Sequence, residues 1–328
     1  MIEARDLART FRTRGRTVDA VRGVDLDVAA GELVGFLGPN GAGKTTTLRM
    51  LTTLLTPTSG TARVAGRDLR SDPVGVRRNI GYVAQGTGGT PDSKVIEEMV
   101  LQGRLYGLTK ADAIARSTVL AERLDLAGLD QRLTKTLSGG QRRRLDIALG
   151  LVHDPKLVFL DEPTSALDPQ SRANLWSHIR ALRDDHGTTV FLTTHYLDEA
   201  DSLCDRVLVI DNGAIVAEGT PASLKAKVSG DLVAVGVAPH DVDKTVSIAA
   251  RIAEASDVAA KPNTVEFRVP RGDLALPELL RALDTANIGT TSLEVQRPTL
   301  DDVFLTLTGR SLRDAELADD KQETDVVA

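Results

Sequence analysis

Short apolar runs alternate with longer amphipathic stretches along most of this chain, which is the pattern of strands joined by helices in an α/β domain. Four apolar runs predict buried strands, at residues 21–28, 32–37, 157–160 and 188–193. The second run leads directly into a glycine-rich segment, after which residues 46–55 predict a helix. A mostly polar stretch at residues 90–133 predicts a helical insertion. The pattern therefore predicts a sheet domain interrupted by helices.

The pattern changes near residues 224–230, where a second and smaller set of elements begins. Strands and helices alternate here, at residues 232–237, 242–255, 265–269, 273–286 and 290–295. This order predicts a small α+β domain of ferredoxin-like type. A last helix is predicted to begin at the cap residue Thr299, because four apolar side chains then share one helical face: Leu300, Val303, Phe304 and Leu307.

The end of the chain differs from both parts. Residues 310–328 hold six acids against three bases and show almost no apolar periodicity, which predicts disorder. We therefore divide the chain into a first domain at residues 1–224, a small accessory domain at residues 231–309 and an acidic tail at residues 310–328.

Composition narrows the possible functions. The 328 residues are 41% hydrophobic and 26% charged, as expected of a soluble globular protein, and no apolar run reaches the roughly 20 residues that span a bilayer. The net charge of −6 argues against nucleic acid as a partner. The single cysteine, Cys204, excludes a disulfide framework and is expected to be a small buried residue. The polar start of the chain predicts a protein that stays in the cytosol.

The glycine-rich segment carries the pattern of a phosphate-binding loop. It reads Gly38, Pro39, Asn40, Gly41, Ala42, Gly43, Lys44, Thr45, Thr46. The glycines allow backbone conformations that aim successive N–H groups inward, at the positive end of the following helix, where they can surround phosphate oxygens. Lys44 adds a cation for the β and γ phosphates of a nucleotide, and the hydroxyl of Thr45 is placed to bind Mg²⁺.

Two carboxylates follow the apolar run at residues 157–160. Asp161 and Glu162 are expected at the carboxyl edge of the sheet, where open α/β sheets bind their ligands. In that position Asp161 would hold Mg²⁺, directly or through water. Glu162 would polarise the water that attacks the phosphate.

A second candidate anion site lies between these two motifs. Leu137 precedes a serine and two glycines that open a helix, and the stretch continues with Ser138, Gly139, Gly140 and Gln141. Such a helix start can bind an anion through its first N–H groups and its serine cap. The three arginines that follow, at residues 142–144, are interpreted as a solvated helix face rather than a substrate site.

The glycine loop, the Ser138 stretch and the carboxylate pair, in this order, resemble the ATP-binding subunit of an ABC transporter over residues 4–220. The resemblance implies a P-loop NTPase fold with a helical insertion, ATP and Mg²⁺ as ligands, and a homodimer that encloses two ATP molecules. In such a dimer the Ser138 stretch caps the γ-phosphate bound by the other subunit. Residues 165–168 match the segment that crosses to that subunit.

The resemblance also implies roles for three single residues. Gln85 matches the glutamine that contacts Mg²⁺ and the attacking water and lies beside the transmembrane subunit. His195 matches the histidine that holds the γ-phosphate. Phe11 matches the aromatic residue that stacks on adenine, and the alternative for its ring is plain core packing.

Residues 137–148, 196–200 and 298–309 together resemble the ATPases of daunorubicin-resistance exporters, whose membrane helices belong to a separate permease. This implies an ATP-hydrolysing subunit that powers efflux of a drug-like or lipophilic compound from the cytoplasmic face of the membrane. The alternatives are a regulatory ATP switch and a non-transport ATPase of the same type that acts on ribosomes or DNA. Tandem ATP domains, long coiled-coil insertions or zinc-binding cysteines would favour the latter, and this sequence has none of them.

Overall fold

A computed structural model of the chain describes residues 1–13, 15–86, 90–228, 230–309 and 311, apart from the side chains of residues 13 and 16. The described chain divides into two compact units, Met1–Pro221 and Ala222–Ser311. The predicted acidic tail, residues 310–328, lies outside the described residues except for Ser311. Within the described residues, no helix combines the length and the hydropathy needed to cross a membrane.

The first unit contains ten strands: β1 (Ile2–Thr13), β2 (Arg16–Val28), β3 (Leu33–Leu37), β4 (Ser59–Val64), β5 (Arg67–Asp68), β6 (Ile80–Val83), β7 (Leu157–Asp161), β8 (Thr189–Thr194), β9 (Arg206–Asp211) and β10 (Ala214–Gly219). Its helices are α1 (Lys44–Leu51), α2 (Pro73–Asn79), α3 (Val95–Leu105), α4 (Lys110–Arg123), α5 (Gly139–Leu151), α6 (Pro169–Asp184), α7 (Leu197–Leu203) and α8 (Pro221–Lys225), the last of which runs into the second unit.

The central sheet of this unit has six strands in the order β10-β9-β3-β8-β7-β6. All neighbours except the β10–β9 pair are parallel. Every residue of β3, β7 and β8 is buried, as expected for parallel strands covered on both faces. Cys204 is also buried, as predicted, with its sulfur directly beside Gly35. The sheet thus delivers the ends of four adjacent parallel strands, β3, β8, β7 and β6, to one edge.

A second, antiparallel sheet of order β2-β1-β4-β5 packs on the first. The apolar core joins side chains from both sheets, among them Ile2 and Leu7 of β1 and Phe36 of β3. The sequence did not predict β1. Its alternation is interrupted after Ala4, where the pairing with β2 shifts register and Asp6 has a φ of 49°.

The predicted helical insertion is present. It holds α3 and α4, and α5 packs against both helices. Gly103 of α3 allows the close approach of α4, because a Cβ there would lie 3.0 Å from the Cβ of Ala113. The fold is therefore the predicted α/β sheet domain with a helical insertion.

The second unit alternates strands and helices: β11 (Asp231–Val237), α9 (Val242–Ala249), β12 (Ser256–Lys261), β13 (Thr264–Val269), α10 (Gly272–Thr285), β14 (Thr290–Gln296) and α11 (Leu300–Thr308). Its sheet is antiparallel with the order β12-β13-β11-β14, the ferredoxin-like arrangement. The sequence missed β12, and the predicted helix at residues 242–255 ends at Ala249.

The last helix, α11, begins at Thr299 as predicted, and Leu300, Val303 and Phe304 are buried. Leu307, the fourth residue of the predicted face, is 44% exposed. It lies in the last turn of this nine-residue helix, four residues after the buried Val303.

Candidate active site

The glycine loop lies between β3 and α1 and has the conformation that its glycines predict. Gly41 and Gly43 have φ values of 73° and 103°, which L-residues with a Cβ rarely adopt. A Cβ at Gly43 would also lie 2.5 Å from the carbonyl oxygen of Ala20 on β2. The loop therefore has a glycine-dependent shape and opens α1 with its first N–H groups, the arrangement that binds phosphate.

Lys44 is the first residue of α1 and is only 4% exposed. Its Nζ donates to the carbonyl oxygens of Gly38 and Pro39, at 2.8 and 2.9 Å, and lies 3.4 Å from Oε1 of Glu162. The ammonium group is thus turned back over its own loop, where carbonyl groups and a carboxylate compensate its burial.

Thr45 and Asp161 converge beside this lysine. The Thr45 hydroxyl donates to Oδ1 of Asp161 at 3.0 Å, and the Thr193 hydroxyl donates to the same oxygen at 2.7 Å. Hydroxyl and carboxylate oxygens are the ligands that Mg²⁺ prefers, so this donor set fits the ion that the sequence implies. Gln85 lies two residues after the end of β6, and its Nε2 donates to the neighbouring Glu162. Thr193 was not among the residues predicted for the site.

Glu162 occupies the centre of the cluster and is 6% exposed. Its Oε2 accepts from Gln85 Nε2 at 2.9 Å and from the Ser165 hydroxyl at 3.0 Å, and His195 Nδ1 lies 3.4 Å away. Because β6, β7 and β8 are adjacent and parallel, the residues that follow their last positions meet here. The structure thus brings together Lys44, Glu162, Gln85 and His195, which sequence reasoning had placed in one site.

The ionisation of Glu162 follows from these contacts. Burial alone would raise its pKa, but the contact with His195 and the charge of Lys44 outweigh burial and lower the pKa to about 2. Glu162 is therefore a carboxylate at neutral pH, stabilised by the contact with His195 and by the charge of Lys44.

The Ser138 stretch opens α5 as predicted. The Ser138 hydroxyl accepts from the Gln141 N–H, and the Gln141 side chain accepts from the Ser138 N–H, which forms a capping box. Ser138 and Gly139 are exposed, and Gly140 lies against Ser171 of α6. The described contacts of this stretch are therefore with α5 and α6 rather than with the glycine loop.

The interpretation of residues 142–144 as a solvated face was wrong for Arg143. Its side chain is 6% exposed, and its guanidinium donates to the carbonyl oxygens of Ala84, Asp161 and Pro163. A run of three arginines usually indicates a helix face exposed to solvent. The middle arginine is buried here only because of the tertiary position of α5. Arg142 and Arg144 are half-buried.

Phe11 lies apart from the cluster around Glu162. It pairs with Val18 across the β1–β2 hairpin, and the Arg9 guanidinium lies 4.7 Å from the centre of its ring. Two residues after Val18, the carbonyl group of Ala20 faces Gly43, so the hairpin runs beside the glycine loop. The ring is half-buried and does not belong to the central core cluster.

Known protein families match both units. Residues 21–165 match the family described as ABC transporter, and residues 219–308 match the ATP-binding protein DrrA1-3-like C-terminal domain. The dimeric structure of MJ0796, a bacterial ABC transporter cassette, is 25% identical with a TM-score of 0.62, over 67% of this chain and 98% of that one. The structure of CbiO1 from Clostridium perfringens, part of an ABC transporter complex, is 26% identical with a TM-score of 0.63, over 69% and 90%.

Relatives that match this chain over almost its whole length define the class of protein more narrowly. The daunorubicin/doxorubicin resistance ATP-binding protein DrrA of Streptomyces peucetius is 43% identical over 94% of this chain and 93% of its own length. The linearmycin resistance ATP-binding protein LnrL of Bacillus subtilis is 33% identical over 96% of this chain and 100% of its own. The class is thus the ABC ATPase. Within it, the chain belongs to the DrrA family of drug-resistance ATP-binding proteins.

Proposed function

We propose that this chain is the ATP-hydrolysing subunit of an exporter that removes a drug-like or lipophilic compound through a separate membrane permease. The observation that supports hydrolysis best is the delivery of Lys44, His195, Glu162 and Gln85 to one place by four adjacent parallel strands. The names of the relatives, which include resistance to daunorubicin and to linearmycin, support export of such compounds.

The glycine loop and Lys44 bind the phosphates in this proposal. The loop offers N–H groups at the start of α1, and Lys44 exchanges its contacts with the Gly38 and Pro39 carbonyls for phosphate oxygens. Thr45 and Asp161, with Gln85, would hold the Mg²⁺ ion, which when bound would neutralise the negative charge that develops on the phosphates.

Glu162 orients the attacking water and accepts its proton. A carboxylate with a pKa near 2 is a weak base, so it needs a change of surroundings to serve well. That change comes from Lys44: when the ammonium group turns to phosphate, Glu162 loses its nearest cation and its pKa rises. Gln85 and Ser165 continue to fix the carboxylate through their hydrogen bonds.

The Ser138 stretch completes the site of a second subunit. The first N–H groups of a helix have no partner within the helix, and here Gly139 and Gly140 carry them beside an exposed serine. An isologous dimer would place this helix start against the γ-phosphate bound by the other copy, so that two nucleotides lie between the subunits. ATP then closes the dimer and hydrolysis reopens it, which moves the permease.

Glu162→Gln tests the hydrolytic part of the proposal. The amide keeps the shape of the side chain but cannot accept a proton, so the variant should bind Mg-ATP, hydrolyse it roughly 100-fold more slowly, and accumulate as an ATP-dependent dimer in size-exclusion chromatography. Glu122→Gln, on the exposed face of α4, is the matched control and should behave as the wild type. A variant that turns over ATP normally, or stays monomeric with ATP both alone and with permease, would contradict the site.

Export is tested by expression of this chain together with a candidate permease from the same genome, in a drug-sensitive host. Cells with the wild-type pair should accumulate less daunorubicin than cells with the Glu162→Gln pair. Equal accumulation, despite ATPase activity in the purified protein, would contradict the exporter role. Co-purification of the chain with ribosomes would instead support the alternative of an ATPase that acts on ribosomes.

A further inference from the structure

Arg143 is a buried arginine that the roles proposed above do not use. It lies on the inner face of α5, five residues after the Ser138 cap, and its guanidinium donates three hydrogen bonds to main-chain carbonyl groups. Nε donates to Pro163 at 2.8 Å, Nη1 to Ala84 at 2.6 Å and Nη2 to Asp161 at 2.9 Å. One planar group therefore fixes three peptide units that come from two different strand ends.

The three carbonyl groups share a feature. Ala84 directly precedes Gln85, and Asp161 and Pro163 directly flank Glu162. The hydrogen bonds of Arg143 go not to these two side chains but to the backbone on which both are carried. The hydrogen bond between Gln85 and Glu162 thus joins two segments whose main chains are already tied to the same guanidinium.

Glu162 needs such a restraint because its backbone is strained. Its φ is 43°, in the left-handed region that residues with a Cβ rarely occupy, and such a conformation persists only where the surroundings determine it. The Thr193 hydroxyl accepts from the Glu162 N–H on one side. Arg143 holds the peptide carbonyls before and after Glu162 on the other. A relaxed backbone would swing the carboxylate away from Gln85 and Ser165.

We infer that Arg143 is a positioning residue for hydrolysis, which holds Glu162 and Gln85 in register through their peptide groups. The inference rests on the proposed function, since it assigns Arg143 to the same site. It predicts that loss of the guanidinium fork lowers the rate of hydrolysis but leaves nucleotide binding intact, because the three hydrogen bonds of Arg143 go to the segments that carry Gln85 and Glu162 and not to the glycine loop.

Arg143→Lys is the first variant to make. Lysine keeps a positive charge near the buried Asp146, whose Oδ2 lies 4.0 Å from Nη1, but a single ammonium nitrogen cannot reach three separate carbonyl groups. Arg143→Gln removes the charge and keeps a short donor, and serves if the lysine variant misfolds. Arg144→Met is the matched control, because Arg144 is the next residue on α5 and bonds instead to Asn174.

Each variant is measured for the Kd of Mg-ATP, for KM and kcat, for thermal stability and for the ATP-dependent dimer. We expect Arg143→Lys to lower kcat by about 30-fold or more, as for a misplaced catalytic group, with Kd and KM changed less than about threefold. The dimer should accumulate with ATP, as in Glu162→Gln. Arg144→Met should keep kcat within about threefold of the wild type.

A double variant separates positioning from a general loss of structure. If Arg143 acts through Glu162, then Arg143→Lys should cause no further loss of kcat in the Glu162→Gln background, because the two changes remove one function. Additive losses, a fall of nucleotide affinity together with kcat, or near-normal kcat in Arg143→Lys would each overturn the inference. A normal kcat in Glu162→Gln would instead overturn the proposed function, and this inference with it.

Discussion

The two units of this chain treat buried charge in opposite ways. Among the described residues, every buried charged side chain lies in the first unit: Lys44, Glu98, Arg143, Asp146, Asp161, Glu162 and Glu199. The second unit buries an apolar core that includes Val233, Val235 and Phe267, and the one buried polar side chain among its described residues is Thr245. Burial of a charged side chain lowers the stability of the fold unless partners compensate it. The first unit accepts this loss in stability to form its site, whereas the second unit is stabilised mainly by apolar packing.

From this difference we expect mutations to affect the two units in different ways. In the first unit, removal of one charged group disturbs a network of short contacts at the strand ends, and the chemistry is affected before the fold. In the second unit, removal of an apolar side chain leaves a cavity, and the fold is affected directly. Mutations can test this contrast on one chain.

Lys44→Ala should have the largest effect. It removes the only cation of the glycine loop, so we expect ATP hydrolysis to fall by at least about 1000-fold and nucleotide affinity to fall as well. Steady-state phosphate release and binding of a fluorescent ATP analogue measure the two effects. Lys156→Ala, an exposed lysine just before the start of β7, is the control. Near-normal ATP turnover in Lys44→Ala would contradict the assignment of Lys44 to the site.

Phe304→Ala should damage the second unit by a comparable free energy without touching the chemistry. The ring has no exposed surface, and truncation of a fully buried phenylalanine costs about 3 to 5 kcal/mol. Hydrogen exchange of the α11 amides should become faster, with ATP affinity unchanged. Leu307→Ala on the same helix, where the side chain is 44% exposed, should cost less than about 1 kcal/mol. Equal costs for the two would contradict the burial of Phe304.

Part of this contrast could be read from the sequence. The glycine loop and the Asp161–Glu162 pair are local patterns, because adjacent residues set their geometry, and both lie where they were predicted. The meeting of Gln85 with Glu162 was implied only by family resemblance, since it depends on the neighbouring positions of β6 and β7. No local pattern predicts strand order.

The features that the sequence missed have tertiary causes. The strand β12 is an edge strand in which none of the six residues is buried, so it shows no alternation. The register shifts of β1 interrupt its alternation in the same way. Arg143 is buried only because α5 lies over the ends of β6 and β7. A run of three arginines in the sequence does not indicate this packing. Thr193 was missed because its role depends on Asp161 in the next strand.

The pH dependence of stability tests how much the buried Glu162 carboxylate contributes to the stability of the first unit. Because the pKa of Glu162 is lowered from 4.5 to about 2, its contribution is present above about pH 4.5 and is lost as the pH falls toward 2. The wild type should therefore lose about 2 kcal/mol of stability relative to Glu162→Gln between pH 6 and pH 3. Denaturant unfolding without nucleotide measures the difference. A difference that does not change with pH would mean that Lys44 and His195 do not stabilise this carboxylate.

The smallest expected effect lies at the start of α11 in the second unit. The Thr299 hydroxyl accepts from the Asp302 N–H, and the Asp302 side chain accepts from the Thr299 N–H, so the helix begins with a capping box. Thr299→Ala should cost about 1 kcal/mol, the usual value of such a cap. Thr306→Ala is the control, because that hydroxyl donates only to a carbonyl group of its own helix. Hydrogen exchange of the α11 amides should increase in the first variant and not in the second, with ATP hydrolysis unchanged in both. If Thr299→Ala slowed hydrolysis while the helix kept its protection, the second unit would act on the chemistry of the first, and the division of labour between them would be wrong.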